Sequence, residues 1–321
     1  MSRIIKAVTA NGEARVYLAE TKEVVDEVMK RHNMSPVAGV AMGRLITAGA
    51  MMGTMMKNEQ DILTIRIKGN GPIGDMLVTA RPNGDVKGYV TNPQTFVPLR
   101  EDGKIDVAKA VGIGVLSVTK DMGLKEPYIG DCILVTSEIG DDLTYYFATS
   151  EQTPSAVGLG TTLNSDNTVK ASGGFIIQMM PNATDETIGT IEVNIANITS
   201  VSGLIEEGKT LEDILAIIFK DLDYKIVEEL PTQFKCDCSR KKVTDALLSL
   251  GADELKSLIE EGKPVETTCQ FCGERYEFGL DELAVMEQAM RVKEQLRKSK
   301  KTAAEEEKSE ESDEKEENLF E

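Results

Sequence analysis

An α+β fold with largely antiparallel sheets is expected over residues 1–182, followed by a helical connector and a small cysteine-bearing unit. Three observations predict it. Strand-like runs come in neighbouring pairs joined by turn residues, the pattern of hairpins rather than of βαβ units. Segments with apolar residues at helical spacing fall between and after those pairs. Four of the five cysteines are confined to residues 236–272.

Taken in order, residues 3–9 and 13–19 read as a hairpin whose turn is supplied by Asn11-Gly12. "ETKEVVDEVMKRHN" reads as an amphipathic helix with Val24, Val25 and Val28 on one face. Residues 36–56, "PVAGVAMGRLITAGAMMGTMM", are largely apolar, and Ser35-Pro36 supplies an N-cap and a first-turn proline. Gly39 and Gly43 make a G-x-x-x-G, so a membrane helix is the rival reading. Arg44 near the middle, and the glycines themselves, favour a buried core helix. Its five methionines, Met42, Met51, Met52, Met55 and Met56, read as core filler. "ILTIRIKG", "GDMLVTARP" and "DVKGYVT" then read as three strands, with Asn83-Gly84 at the second turn. "CILVTSEIGDDLTYYFAT" is expected to form a further hairpin around Gly140-Asp141, and "ASGGFIIQMMP" a last strand.

From residue 183 the period changes. Ile188, Ile191, Ile195 and Ile198 are spaced 3, 4, 3, which is one helical face. Thr210-x-x-Asp213 resembles a capping box before the apolar stripe Leu211, Ile214, Leu215 and Ile218. Residues 183–231 are therefore expected to be a helical connector ended by Pro231. Residues 232–291 read as a cysteine pair, a helix, a turn at Gly251, a second helix, a second cysteine pair and a final helix from Asp281. Residues 292–321 are a charged, low-complexity tail, expected to be disordered and solvating.

Composition narrows the function classes. Hydrophobic residues are 41% of the chain, with no Trp, 5% aromatics and 14 Met, so the core must be aliphatic. The formal charge is −18, of which residues 304–321, with ten acids and two lysines, carry −8. The remaining −10 argues against a nucleic-acid partner. The start, "MSRIIKAVTANGEARVYL", has no sustained apolar run of the signal-peptide kind, so a cytoplasmic location with reduced thiols is expected, and no membrane partner. "GNGPIG" (69–74) fits G-x-G-x-x-G, but Pro72 falls inside it and a strand follows where a dinucleotide site needs a helix. It reads as a turn. The one histidine, His32, ends a charged helix face and has no general acid/base constellation about it, so no enzyme is expected. Cys132 opens an apolar strand and reads as a buried structural thiol.

The cysteines of "FKCDCSRKK" and "TTCQFCGERY" differ from Cys132. C-x-x-C is a recurrent zinc half-site, and the C-x-C completes a four-thiolate set of Cys236, Cys238, Cys269 and Cys272, holding one Zn²⁺ per chain. A structural zinc that only keeps this thin unit folded is the plainest reading; such a metal contributes ~10–16 kcal/mol to a small module. The C-x-C permits more. Cα atoms at i and i+2 of an extended chain lie roughly 6.5–7 Å apart, against about 4.4–6.8 Å for disulfides. A Cys236–Cys238 bridge would therefore be strained and reversible. Lys235, Arg240, Lys241 and Lys242 surround the pair, and positive charge favours thiolate. The spacing permits a redox switch without requiring one.

The two cysteine pairs, their position after a helical connector, "GNGPIG" with the "GDVKGYV" hairpin, "YYFATSEQTPSAVGLG" and "ASGGFIIQMMP" together resemble the heat shock protein 33 family over about residues 1–291. The acidic tail lies outside that pattern. The resemblance implies a redox-regulated holdase chaperone that works without ATP on unfolding proteins under oxidative stress. The reduced, zinc-bound form would be inactive. Oxidation to Cys236–Cys238 and Cys269–Cys272 disulfides would release zinc, unfold the switch unit and connector, and give an active homodimer. Two other classes compete: a zinc-ribbon nucleic-acid binder, disfavoured by the acidic body, and a thiol-disulfide oxidoreductase, which lacks a thioredoxin-like βαβ context around its C-x-x-C.

Overall fold

The computed structural model describes residues 1–296 and Ser299. The elements run β1 (Arg3–Thr9), β2 (Ala14–Glu20), α1 (Lys22–His32), α2 (Pro36–Gly53), β3 (Ile62–Gly69), β4 (Asp75–Ala80), β5 (Asp85–Val90), α3 (Val107–Val111), β6 (Gly114–Asp121), β7 (Tyr128–Ile133) and α4 (Gly140–Thr149). They continue with β8 (Ser155–Leu163), β9 (Val169–Met179), α5 (Asp185–Ala196), α6 (Val201–Glu206), α7 (Leu211–Ile218), β10 (Tyr224–Pro231) and β11 (Gln233–Phe234). Then come α8 (Arg240–Leu248), α9 (Ala252–Glu260), β12 (Val265–Thr268), β13 (Arg275–Phe278) and a helix α10 over residues 280–296. The chain divides into two compact units, Met1–Cys236 and a second that starts at Asp237.

The first unit holds two sheets, ordered β10-β1-β2-β9-β8 and β11-β5-β4-β3-β6-β7. Every pairing is antiparallel except the short β11–β5 contact. Helix α2 is the centre of the main core. The Ser35 hydroxyl caps it by accepting the Ala38 N–H, and 16 of its 18 residues are buried. Residues of both sheets, such as Ile4, Ile176, Ile65 and Val118, belong to the same apolar cluster as α2. Arg44 leaves that cluster to reach Glu138 at 2.5 Å. Among the described residues no helix is long and apolar enough to cross a membrane.

The opposite face of the first sheet carries a second cluster. Ile5, Ala7, Val16, Leu18, Phe175 and Ile177 pack there against Ile191, Val201, Leu211, Ile214, Leu215, Ile218 and Phe219 of α5–α7. Strand alternation explains this: Ile4 and Ile5 of one strand serve different cores. The connector is therefore the cover of a sheet face. Its anchoring is also polar. The Asn194 amide donates to the carbonyls of Ile218 (3.1 Å) and Lys220 (2.8 Å). Arg3 donates to Glu212 of α7 and Glu229 of β10, each at 2.7 Å.

Three stretches differ from the expectation. Residues 140–149, read as the second arm of a hairpin, form α4. The Asp142 carboxylate accepts the backbone N–H groups of Val135, Thr136, Ser137 and Ile139, which folds the chain into a tight loop and opens a helix despite the β-forming Tyr145-Tyr146-Phe147 run. Residues 155–163, given no element by sequence, form β8, the hairpin partner of β9, and β10 and β11 follow, so "ASGGFIIQMMP" is not the last strand. The connector is helical through α7, but residues 224–231 form β10, an edge strand on β1. "GNGPIG" is a turn between β3 and β4, as expected. A Cβ on Gly69 would meet the Val111 carbonyl oxygen at 2.0 Å, so glycine is needed there for close approach.

The second unit is small. Among the described residues its fully buried apolar side chains are Ala252, Leu255, Phe278 and Leu283; the last three form one cluster with half-buried neighbours such as Val243, Leu258, Val265 and Met286. Helix α8 has no buried residue at all. Residues 292–296, assigned to the tail by sequence, continue α10; the rest of that tail, Ser299 apart, lies outside the described residues.

Candidate metal centre

Two local structures present the clustered thiols. Cys236 and Cys238 lie in the extended chain between β11 and α8, and Ser239 stops that extension by capping α8 through the Lys242 N–H. Cys269 and Cys272 sit in the turn joining β12 to β13, strands paired from Val265↔Phe278 to Thr268↔Arg275. In that turn the Cys269 N–H donates to the Glu274 carbonyl and the Gly273 N–H to the Cys269 carbonyl, both at 2.8 Å. Gly273 has φ +77°, which only glycine adopts without strain.

All five cysteines are thiols in this structure. The Sγ atoms of Cys236, Cys238, Cys269 and Cys272 lie within 4.8 Å of one another. Cys238 and Cys272 approach to 3.4 Å. Zn–S bonds of about 2.3 Å give tetrahedral S···S edges of roughly 3.8 Å, so the set needs only small adjustment to close on one ion. Four soft sulfur donors with no carboxylate among them suit zinc better than calcium or magnesium. Cys132 is outside the group, half-buried on β7. Burial, with Asp142 and Asp131 nearby, pushes its thiol up to about 11.

The surroundings change one expectation. Of the four basic residues near the C-x-C, three are held by carboxylates: Lys235 by Asp85 (3.3 Å), Lys242 by Asp237 (2.5 Å) and Arg240 by Glu282 (2.7 Å). Their positive charge is thus largely compensated where it stands. Arg240 also stacks over Phe278 at 4.4 Å and donates to the Glu277 carbonyl, so it braces β13. Tyr276 was not legible as a partner of the thiols: its hydroxyl donates to Cys238 Sγ at 3.1 Å. That bond and burial raise the phenol above its ordinary range. The contact spans 38 residues. His32 is half-buried in the last turn of α1.

A family model described as Hsp33 protein matches residues 2–279. The chain belongs to the Hsp33 family. Relatives named "33 kDa chaperonin" include one from Lachnoclostridium phytofermentans, 48% identical over 280 residues, covering 87% of this chain and 96% of that protein. Another, from Staphylococcus aureus, is 47% identical over 288 residues, with 89% and 98% covered. A crystal structure of the Thermotoga maritima 33 kDa chaperonin, titled as a heat shock protein 33 homolog, superimposes with a TM-score of 0.82 at 38% identity, covering 89% of this chain and 98% of that one. These Hsp33 relatives are named as chaperonins, not as enzymes, and chaperone function comes with the membership.

Proposed function

We propose that this chain is an oxidation-activated holdase that captures unfolding proteins without ATP, silent when reduced and loaded with one Zn²⁺ per chain. Cys236, Cys238, Cys269 and Cys272 would be the ligands. When bound, the ion would hold four thiolates in one tetrahedral set and supply the folding energy that the small apolar cluster of the second unit lacks. The reading is supported by that four-sulfur cluster standing directly after a connector whose apolar faces cover a sheet.

The switch would follow from ordinary thiol chemistry. A peroxide or hypochlorite oxidises one thiolate of a pair to a sulfenic acid or its chloride equivalent. The neighbouring thiolate attacks that sulfur, forming the S–S bond and expelling hydroxide or chloride. Each pair loses two electrons, taken up by the oxidant. Local bridges Cys236–Cys238 and Cys269–Cys272 would withdraw all four ligand sulfurs. Without them the second unit would have only the small cluster about Leu255, Phe278 and Leu283 to rely on. Its unfolding would remove the anchor that follows β11. Each large aliphatic of α5–α7 contributes roughly 1.5–3 kcal/mol by burial, so a few of them amount to a domain's whole margin of about 5–15 kcal/mol. Opening would bare Ile5, Val16, Leu18, Phe175 and Ile177 for unfolded clients, and the active form would pair as a homodimer in the cytoplasm.

The test measures zinc and thiols before and after peroxide or hypochlorite, alongside light scattering of a heat-denatured client without ATP. One zinc and four protected thiols in a silent protein, changing to two local disulfides in an active one, is the expected result. Full activity of the reduced zinc form would refute the proposal, and catalytic turnover in insulin reduction would favour the oxidoreductase instead.

A further inference from the structure

Several of the large apolar side chains exposed among the described residues fall together on one edge. Ile113, Val115, Ile129, Ile133 and Val135 are between 41% and 79% accessible, and all belong to β6, β7 or their flanks. Strand β7 ends the six-stranded sheet, and among the described residues no strand pairs with its outer side. The Leu134 N–H bonds to the Gly114 carbonyl, so the even-numbered residues of β7 face β6 and Ile129, Asp131 and Ile133 turn their backbone groups outward. The Ser150 hydroxyl, which donates to the Asp131 carbonyl at 3.2 Å, confirms that orientation. Ile129 and Ile133 project on one face, with Val115 directly opposite Ile133.

We propose that β7 is a docking edge for extended segments of non-native proteins, which add as a further strand and carry a basic residue between two apolar ones. This rests on the client-binding reading above and names a surface that the connector does not cover. Charge selects the occupant. Asp131 lies midway between the two isoleucines and is exposed, and Asp121 and Glu126 precede it with only Lys125 to offset them. A second copy paired antiparallel about Asp131 would set that carboxylate against itself, which a sheet disfavours. A Lys or Arg of a client strand at the same place is favoured. The incoming strand would take the outward N–H and C=O groups of Ile129 and Ile133 and displace the Ser150 hydroxyl from Asp131. This is β-augmentation, with affinity from the backbone and selectivity from alternate side chains.

The experiment uses the full chain and two blocked eight-residue peptides alternating Val and Thr, with Lys or Glu at the centre. Fluorescence anisotropy gives affinity, and hydrogen exchange locates binding. The Lys peptide should slow exchange at the Ile129 and Ile133 amides and bind about threefold more tightly than the Glu peptide. Ile129→Glu with Ile133→Glu should weaken it about tenfold or more. Asp131→Lys, an exposed change that leaves packing untouched, should reverse the ranking. Suppression of client aggregation by the oxidised protein is read in parallel. If that suppression persists while β7 shows no protection and the Asp131 variant keeps the original ranking, the docking edge is wrong and the holdase reading stands. If β7 protects the peptide but no oxidised sample suppresses aggregation, the edge stands and the holdase reading fails. Loss of dimers in the Ile129/Ile133 variant with unchanged peptide affinity would assign β7 to a second copy and overturn the proposal.

Discussion

The body of the first unit and the cysteine unit solve the same folding problem with different means. In the body, α2 buries nearly all of its 18 residues between the two sheets, and over forty apolar side chains share one cluster. In the cysteine unit four apolar residues, Ala252, Leu255, Phe278 and Leu283, are fully buried among the described residues, and α8 contributes none of them. A core of the first kind contains none of the four clustered thiols. A core of the second kind is thin enough that a metal or bond joining the clustered thiols would decide its stability. In sequence the connector comes between them; it belongs to the first unit, is well buried against β1, β2 and β9, and is held at its edges by ion pairs and an edge strand. On the function proposed above, the contrast would divide roles by energetics: a permanent platform, a conditional sensor, and a cover whose stability sits between the two.

The largest expected effect breaks the sensor alone. Cys269→Ser, or a strong chelator applied to the reduced chain, should remove most of the ~10–16 kcal/mol that a structural zinc contributes. The second unit should lose amide protection while α2 and the sheets keep theirs. A Cys269→Ser protein that retains full zinc by elemental analysis would end the four-thiolate account.

Next comes the cover. Ile214→Ala in the connector should cost about 2–5 kcal/mol, the usual range for a fully buried aliphatic. Ile191→Asn with Ile195→Asn should loosen the same cover and give partial holdase activity in the reduced state. Hydrogen exchange checks that α5–α7 has opened. A silent variant with an open connector would place the regulated surface elsewhere.

A smaller effect follows from the Arg3–Glu212 pair. Its hydrogen bonds to Arg3 hold the Glu212 carboxyl down at about 2, against an ordinary 4.5. A depressed carboxyl contributes stability that is present above its unfolded value and lost as pH falls from about 4.5 through about 2. The pair is partly exposed, so the contribution is under about 1 kcal/mol. Connector protection should decline across that acid window, and Glu212→Gln should flatten the pH dependence.

Smallest of all is Cys132→Ser. With its thiol pushed up to about 11, Cys132 is protonated at neutral pH and a poor nucleophile. The substitution should leave zinc content and the response to oxidant unchanged, while alkylation of native protein should label Cys132 slowly.

What could be read from the sequence divides along the same physical line. The α2 run, the hairpins with Asn-Gly turns, the stripe of α7 and the paired cysteines are local patterns, and each has a structure to match. Helix α4 was hidden because its start depends on Asp142 gathering four upstream N–H groups, while Tyr145-Tyr146-Phe147 carries a strand propensity. Strand β10 was hidden for another reason. Seven of its eight residues are exposed, so it has no inside-outside alternation, and only its pairing with β1 makes it a strand. β11 is a two-residue contact set by Asp85, whose carboxylate accepts from the Gln233 amide and pairs with Lys235. Long-range partners such as Tyr276 for Cys238 and Arg3 for Glu212 leave no local signal.

The central claim is that the cysteine unit and the connector are conditional while the platform is not. Residue-resolved hydrogen exchange on the reduced zinc-loaded chain and on the same chain after stoichiometric hypochlorite tests it most directly. The expected result is loss of protection from residue 237 onward and in α5–α7, with α2, β3–β6 and β9 unchanged. Uniform loss across both units, or an oxidised protein whose connector stays protected while it holds clients, would contradict it.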